Sequence, residues 1–219
     1  MVSIAVIENP WTEPRVVGQS EVRAARRKHI LYCAKQVFSK KGFHNASVSD
    51  IVDRAGIARG TFYLYFTSKR DIFDSLMEDL LQELRQRIKP IDIGPDSPNP
   101  LEQLKANVRR VLELVIQDPE LIQIMFHHAA GLDQRSAETV RTFYDRVLDM
   151  IERSLEHGIR LGLVRPCQTR IVASCILGTI KEVADWMTGR RRTVPPLDVL
   201  VEEILRFGLR GVSTQPQDI

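Results

Sequence analysis

The chain has 219 residues, 43% of them hydrophobic and 27% charged, which is the composition of one large or two small globular domains with a hydrophobic core. Its three cysteines are odd in number and not closely paired, which excludes a disulfide framework and fits a reducing cytoplasm. No apolar run reaches about 18 residues and no signal-peptide pattern opens the chain, so we expect no membrane partner. No metal site and no cofactor are predicted.

The positive charge is concentrated near the N-terminus. The whole chain has a net charge of only +3, but residues 15–70 carry +9, residues 71–219 carry −4 and residues 1–14 carry −2. A local excess of lysine and arginine favours a polyanionic partner that binds residues 15–70 and not the rest of the chain.

Helical periodicity and helix breakers predict nine helices and no strand, which is an all-α chain. Residues 1–20 lack a sustained period and are predicted to be a flexible arm. The first helix ends at Gly42, the second begins at Ser47, and the third covers about 58–66. A long fourth helix follows Ser68 and ends before Pro90. The other five are predicted at about 101–117, 119–131, 136–161, 169–188 and 197–210.

The stretch 48–69 is the most informative part of the chain. It predicts two short helices joined by a tight turn at Gly56, with Ser47 and Asp50 forming a near-capping box at the start of the first. In the second helix, Phe62 and Phe66 lie one turn apart and are predicted to face inward. The other side carries small, basic and hydroxyl-bearing residues, as a helix in the DNA major groove requires.

Particular residues of this stretch suit particular DNA contacts. Arg59 can donate two hydrogen bonds to guanine, and Thr61 can bind a phosphate or a thymine methyl group. Tyr63 and Tyr65 offer hydroxyl donors for phosphates, and Gly60 lets the backbone approach the DNA closely.

Two further positions are predicted phosphate contacts at helix N-termini. Ser47 begins the second helix, and Lys69 lies in the first turn of the fourth, where a lysine opposes the helix dipole. A phosphate bound there would relieve the mismatch, since helix N-termini bind anions. The opposing interpretation is an ordinary helical hairpin with a solvated basic face.

The same residues resemble the TetR family of bacterial transcription regulators. The family's first helix ends in Phe-x-x-x-Gly-Phe, which is 38–43 here, and its helix-turn-helix block corresponds to 47–69. The resemblance is strong over about 26–80; beyond that, only helix number and length match. Val52 replaces a small alanine of the pattern, and Ala58 stands where a serine or threonine often caps the recognition helix, so we assign no DNA contact to Ala58.

The resemblance implies a helix-turn-helix domain over 21–68 and a ligand-binding and dimerisation domain over 69–213, with 69–89 as the connector and 214–219 as a tail. It implies a homodimer that reads a palindromic operator in double-stranded DNA, most simply as a repressor that a small effector releases. The aliphatic and aromatic composition of the second domain favours an apolar or amphipathic effector.

Broad apolar faces on the last two helices predict a dimer surface built as a four-helix bundle. The alternative is that these faces complete the core of a single chain. The predicted interface residues are Ile171, Cys175, Ile176, Thr179, Val183, Leu197, Leu200, Val201, Ile204 and Leu205. The predicted effector contacts, chosen as aromatic, apolar or polar residues near apolar stripes, are Met125, Phe126, His128, Phe143, Tyr144, Arg146, Leu148, Glu182 and Trp186.

Two other classes of function are considered. An enzyme is disfavoured because the sequence shows no nucleophile–base pair, metal cluster or phosphate loop. A ligand-independent DNA-binding protein with a role in chromosome organisation or division is the alternative to the regulator.

Overall fold

The computed structural model describes residues 19–127, 134–189 and 193–212. Over these ranges the chain forms nine α-helices and no strand, which confirms the predicted all-α fold class. None of the described helices is long and apolar enough to cross a membrane. The helices are α1 (Gln19–Lys41), α2 (Val48–Ala55), α3 (Arg59–Tyr63), α4 (Lys69–Arg87), α5 (Pro100–Gln117), α6 (Pro119–His127), α7 (Gln134–Arg160), α8 (Thr169–Thr188) and α9 (Leu197–Val212).

The two ends of the chain fall mostly outside the described residues. The predicted tail over 214–219 lies outside them entirely, and of the predicted arm over 1–20 only residues 19–20 are described, as the start of α1. The predicted effector contact His128 also lies outside the described ranges.

Local signals account for the ends of α2 and α4. The Ser47 hydroxyl accepts a hydrogen bond from the Asp50 amide while the Asp50 side chain accepts one from the Ser47 amide, so the predicted capping box is confirmed. Gly56 ends α2 in the left-handed conformation with φ of 62°, which a residue without a Cβ adopts at no steric cost. The Ser68 side chain caps α4 by accepting from the Asp71 amide.

The recognition helix is shorter than the 58–66 that periodicity predicts. α3 spans Arg59–Tyr63, and the following turn is closed by the amides of Tyr65 and Phe66, which both donate to the Phe62 carbonyl, at 2.9 and 3.0 Å. The tight turn keeps Phe62 and Phe66 on one side, where they are 0% and 2% exposed. Their predicted inward orientation is confirmed.

A cluster of aromatic rings joins α1 and α3 to α4. Phe38, Phe43, Phe62, Phe66 and Phe73 are each no more than 2% exposed. The Phe43 ring lies between two others, with centroids 5.2 Å from Phe38 and 5.3 Å from Phe73. Because burying one such side chain contributes roughly 1.5–3 kcal/mol, the cluster binds the helix-turn-helix to the connector helix.

Polar contacts join α1 to the larger domain. Lys35 on α1 forms a largely buried ion pair with Asp118, which precedes α6. The Ser39 hydroxyl donates to the Gln123 side chain on α6 at 3.3 Å, and the Gln123 amide group donates to the Thr188 carbonyl at the end of α8 at 3.0 Å. Helix α6 therefore lies between the first helix of the DNA-binding domain and the end of α8.

The inner face of α9 packs within its own chain. Leu200, Val201 and Leu205 are 9%, 3% and 7% exposed and form a cluster with Leu112 of α5. Half-buried Val183, Leu197 and Ile204 pack against that cluster. The alternative interpretation, that these apolar stripes complete the monomer core, is therefore correct for this face.

Leu200, Val201 and Leu205 are among the predicted dimer contacts, but their side chains already have packing partners within the chain. Helix α9 has a second, outward side where Val199 is 48% and Phe207 is 74% exposed. Periodicity identifies the apolar stripes of a helix but does not say which stripe packs within the same chain. For this reason the sequence could assign the inner stripe of α9 to the dimer surface. Of the α8 residues, Ile171 and Cys175 are exposed, and Ile176 and Thr179 are half-buried.

Of the two glycines in the helix-turn-helix, Gly56 has a left-handed backbone conformation that favours glycine, and Gly60 has an ordinary helical one. A Cβ added at Gly56 or at Gly60 would meet no atom within 4 Å, but only Gly56 has a positive φ. Gly56→Ala is expected to lower the free energy of unfolding by about 1 kcal/mol because of left-handed strain. Gly60→Ala, inside a helix, is expected to raise it by up to about 1 kcal/mol. Chemical denaturation of both variants checks the pair, and equal changes at the two positions would contradict the backbone argument.

Candidate nucleic-acid interface

The outer surface of α3 and its C-terminal turn is exposed, as a DNA-reading surface requires. Arg59 and Gly60 are exposed, and Thr61 is half-buried. Tyr63 is 49% exposed, and Leu64, directly after the helix, is 71% exposed. The buried residue Phe62 holds this surface from beneath, with the Tyr63 ring edge-on to it at 5.3 Å between centroids.

The packing of the chain does not require a glycine at position 60. Nothing lies within 4 Å of the position that its Cβ would occupy, and a glycine inside a helix costs about 1 kcal/mol against alanine. The residue before α3, Ala58, gives no side-chain hydrogen bond to the helix, as expected from its departure from the family pattern. The backbone of α3 is therefore open to close approach from outside the chain.

Tyr65 is a predicted DNA contact that is partly covered by the chain itself. It is half-buried and packs against the N-terminal core, and the guanidinium of Arg23 lies 6.0 Å from its ring centroid. Arg27, one turn along α1, lies 5.4 Å from the Phe66 ring. Such cation–π contacts place α1 cations beside the recognition turn.

An ionised carboxylate lies beside the predicted phosphate contact at Ser47. The Asp50 side chain accepts from the Ser47 amide at 2.9 Å and the Ser47 hydroxyl at 2.8 Å, and Lys41 donates to it at 2.5 Å. Hydrogen bonds from Lys41 and then from the Ser47 backbone and side chain lower the pKa of Asp50 to about 2. The exposed Ser47 hydroxyl is thus held in the capping box, and the Lys41 ammonium offsets the charge of Asp50.

The Lys69 side chain is directed at the turn between α1 and α2. Its ammonium donates to the backbone carbonyls of Phe43, His44 and Ala46 at 2.8, 2.9 and 2.8 Å, and lies 4.8 Å from the Phe43 ring centroid. We call this set of contacts the Lys69 clamp. An ammonium has three N–H donors, so all are used. The sequence predicts a phosphate as the partner of Lys69, whereas in this structure carbonyls of the turn between α1 and α2 satisfy its ammonium.

Leu64 is a surface residue that the sequence analysis missed. It lies between the two predicted tyrosine contacts and exposes 71% of its surface on the side opposite Phe62 and Phe66. The available signal was its position two residues from each of these inward-facing rings. An exposed leucine in this place is suited to an apolar contact such as a thymine methyl group.

A cleft of about 450 Å³ lies between α4 and α7. It includes two of the predicted effector contacts, Phe143 and Arg146. Arg146 donates to Glu78 across the cleft at 2.8 Å, and Thr139 donates to Asp74 at 2.8 Å. The lining residues are Arg70, Asp74, Met77, Glu78 and Leu81 from α4, and Arg135, Glu138, Thr139, Thr142, Phe143 and Arg146 from α7.

Tyr144 lies next to the cleft but faces α8. Its hydroxyl oxygen is buried and has no hydrogen-bond partner among the described residues, and the Lys181 ammonium lies 5.4 Å from its ring centroid. Burial, with a smaller contribution from the Asp185 carboxylate, raises the pKa of Tyr144. A buried hydroxyl without a partner marks a place where a polar ligand group would be stabilised.

Among the residues whose side chains are described, the other predicted effector contacts do not line the cleft. Met125 is 3% exposed in the same core cluster as Phe62 and Phe143. Trp186 packs against the cluster between α5 and α9. Glu182 is exposed on α8 and does not line the cleft, so its role as an effector contact stays a prediction. Leu148 is half-buried on α7, and the Phe126 side chain lies outside the described part of the molecule.

The depressed pKa of Asp50 gives a pH prediction. Its carboxyl should titrate near 2 in the folded protein, and Lys41→Met should move the midpoint up toward the ordinary 3.8 because the largest cause is removed. A folded pKa below the unfolded one stabilises the fold above about pH 4, and this stabilisation is lost as the pH falls through about 2. Carbon-detected NMR titration measures the midpoint, with Lys40→Met as the control. An unchanged midpoint in Lys41→Met would show that Ser47 alone sets it.

Comparison with known proteins agrees with this geometry. The family model for bacterial regulatory proteins of the tetR family matches residues 30–76, and the model for the tetracyclin repressor-like C-terminal domain matches residues 97–194. The HTH-type transcriptional regulator YvdT of Bacillus subtilis is 46% identical over 199 residues, which is 87% of this chain and 97% of YvdT.

Two solved structures share the fold and carry informative names. The fatty acid degradation regulator FadR of Bacillus halodurans is 25% identical, with a TM-score of 0.68 and coverage of 84% of this chain and 94% of that one. The ketosteroid transcriptional regulator KstR2 of Mycobacterium tuberculosis is 26% identical, with a TM-score of 0.65 and coverage of 87% and 96%. The chain belongs to the TetR family of DNA-binding transcription regulators.

Proposed function

We propose that this regulator is a cytoplasmic repressor that binds a palindromic operator as a homodimer and leaves it when an amphipathic effector binds the larger domain. The observation that supports DNA reading most directly is the exposed surface of α3, where Arg59, Tyr63 and Leu64 project from a helix anchored by a buried Phe62. No catalytic step is part of this proposal.

The exposed residues divide into base and phosphate contacts. Arg59 reads guanine through two hydrogen bonds, and Leu64 adds an apolar contact to a thymine methyl group. Thr61, Tyr63 and Ser47 bind phosphates and orient the protein on the duplex. Gly60 allows the α3 backbone to approach the groove, and Tyr65 supports the turn while its hydroxyl contacts the DNA backbone.

The outward sides of α8 and α9 fit a second copy of the chain. Ile171 is 64% and Phe207 is 74% exposed, an unusual exposure for large apolar side chains. Gly178 on α8 has open space around its Cβ position, so a partner helix can approach closely there. The proposed interface consists of Ile171, Cys175, Gly178 and Thr179 on α8 with Val199 and Phe207 on α9.

The cleft between α4 and α7 is the proposed effector site. Its volume lies within the range of small-molecule pockets, about 300–1,000 Å³. Met77, Leu81 and Phe143 form an apolar floor. The Arg146 guanidinium, which donates to Glu78, can bind an acidic head group in its place. An amphipathic acid, such as a fatty acid, its coenzyme A thioester or a steroid acid, fits this lining. The names of the FadR and KstR2 relatives favour the same class.

Operator binding tests the first half of the proposal. A site selected from fragmented genomic DNA should bind two chains per palindrome, with half-sites about 34–36 Å apart. Arg59→Ala should weaken binding about tenfold to a hundredfold at the selected site, since a good bidentate base contact is worth roughly 1–3 kcal/mol. Fluorescence anisotropy gives the affinity, and sedimentation of the complex gives the number of chains.

The substitution Phe207→Asp tests the proposed interface with a second copy of the chain. It lies far along the chain from α3 and should convert the free protein to a monomer and weaken palindrome binding while leaving its helix content unchanged. One chain per operator, or a Phe207→Asp dimer, would contradict the proposed interface. Many dispersed sites without regulated neighbours would favour the chromosome-organising alternative.

Release of the DNA by an effector tests the second half of the proposal. Palmitate, palmitoyl-coenzyme A and a steroid acid should be titrated into the preformed operator complex, and at least one is expected to release the DNA. Phe143→Ala should raise the concentration needed for release about tenfold or more, because the variant removes part of the apolar floor of the cleft. Operator affinity without effector should stay near that of the wild type.

Arg141→Ala provides the control for this experiment. Arg141 is exposed on the same helix but does not line the cleft, so its release curve should overlay that of the wild type. Equal responses of the Phe143 and Arg141 variants would place the effector elsewhere, and the neighbourhood of Tyr144 would be the next site to test.

A further inference from the structure

The Lys69 clamp connects two segments that are adjacent in space but 23 to 26 residues apart in sequence. On one side is the first residue of α4, and on the other is the turn that leads from α1 into the Ser47 cap of α2. Turn carbonyls outside helices need donors, and an unpaired buried one costs free energy comparable to that of a missing hydrogen bond. Lys69 donates to three of them within a space of a few residues.

We propose, resting on the operator binding proposed above, that Lys69 is a positioning residue for operator recognition: its ammonium holds the turn between α1 and α2 against α4 and binds no DNA phosphate. Through this contact the Ser47 end of α2 has a fixed place relative to the connector helix. Since Gly56 joins α2 to α3 in a tight turn, the recognition surface takes its orientation from the same contact.

The geometry argues against a second role as a phosphate ligand. All three N–H groups point at carbonyl oxygens within 2.9 Å, so a phosphate would have to replace at least one of them. The Phe43 ring covers the ammonium from another side at 4.8 Å. Lys69 is half-buried as a result, whereas Arg59 and Tyr63 are exposed on the α3 surface.

The clamp also explains why a lysine stands here. A lysine ammonium is compact and directs its three donors to separate points, while an arginine guanidinium is planar and larger. Arginine would suit a phosphate as well as lysine or better. The two roles therefore predict opposite results for Lys69→Arg.

The test compares Lys69→Met and Lys69→Arg with the wild type in operator titrations over a range of salt concentrations. Both variants should bind about tenfold or more weakly, and the slope of log affinity against log salt should stay that of the wild type. Arg59→Met is the positive control for a direct DNA contact. If Lys69 instead bound a phosphate, Lys69→Met would flatten the slope by about 0.9. That flattening, or full operator affinity in Lys69→Arg, would overturn the proposal.

Hydrogen–deuterium exchange separates positioning from general destabilisation of the fold. In Lys69→Met, peptides covering residues 42–50 should exchange faster while peptides of α9 keep the wild-type rate. Faster exchange in 42–50 with unchanged operator affinity would also overturn the proposal, because the turn would then not orient the recognition surface.

A measurement on the wild type covers the case in which the methionine variant does not fold. In lysine-labelled protein, the Lys69 ammonium protons should be protected from solvent, and their NMR signal should persist with little shift when operator is added. A large shift on operator binding would show that the ammonium leaves the carbonyls for DNA.

Discussion

The contact between the turn after α1 and the first turn of α4 is the constraint on which the DNA-reading surface depends. Phe43 lies between the rings of Phe38 and Phe73, and the Lys69 ammonium covers it and holds the carbonyls of the same turn. Helices α2 and α3 have only eight and five residues, too few to be stable alone in water. Their orientation therefore comes from tertiary contacts: α2 packs mainly against α1, and α4 adds the Lys69 contacts to the turn that leads into α2.

The same helix α4 contributes one wall of the cleft and carries the clamp at its first residue. A molecule that changed the distance between α4 and α7 would thus act on the helix to which the turn before α2 is attached. A second connection runs from α1 through the Lys35–Asp118 ion pair and the Ser39–Gln123 hydrogen bond to α6, and from Gln123 to the end of α8. Two physical routes therefore join the DNA-binding helices to the larger domain, one through α4 and one through α6.

Much of the fold was accessible from the sequence because its signals are local. Capping residues, Gly56 and the spacing of Phe62 and Phe66 predict the helix-turn-helix, and apolar periodicity predicts nine helices. The differences between prediction and structure concern contacts between distant segments. A helix-dipole argument assigns Lys69 to a phosphate, since nothing local shows that turn carbonyls lie within its reach. The same periodicity assigns Leu200, Val201 and Leu205 to a dimer because α9 has apolar side chains on two sides.

If the Lys69 contact orients the motif, the turn before α2, the recognition helix and α4 unfold as one cooperative unit, which native-state hydrogen exchange can measure. The Ile51 amide near the start of α2 donates to Ser47, and the Ile72 amide in the first turn of α4 donates to Ser68, both at 3.3 Å. If these segments form one unit, the two amides open with the same free energy and the same denaturant dependence. If Ile51 opens at a clearly lower free energy with little denaturant dependence while Ile72 stays protected, the recognition motif moves independently of α4 and is not held in place by it.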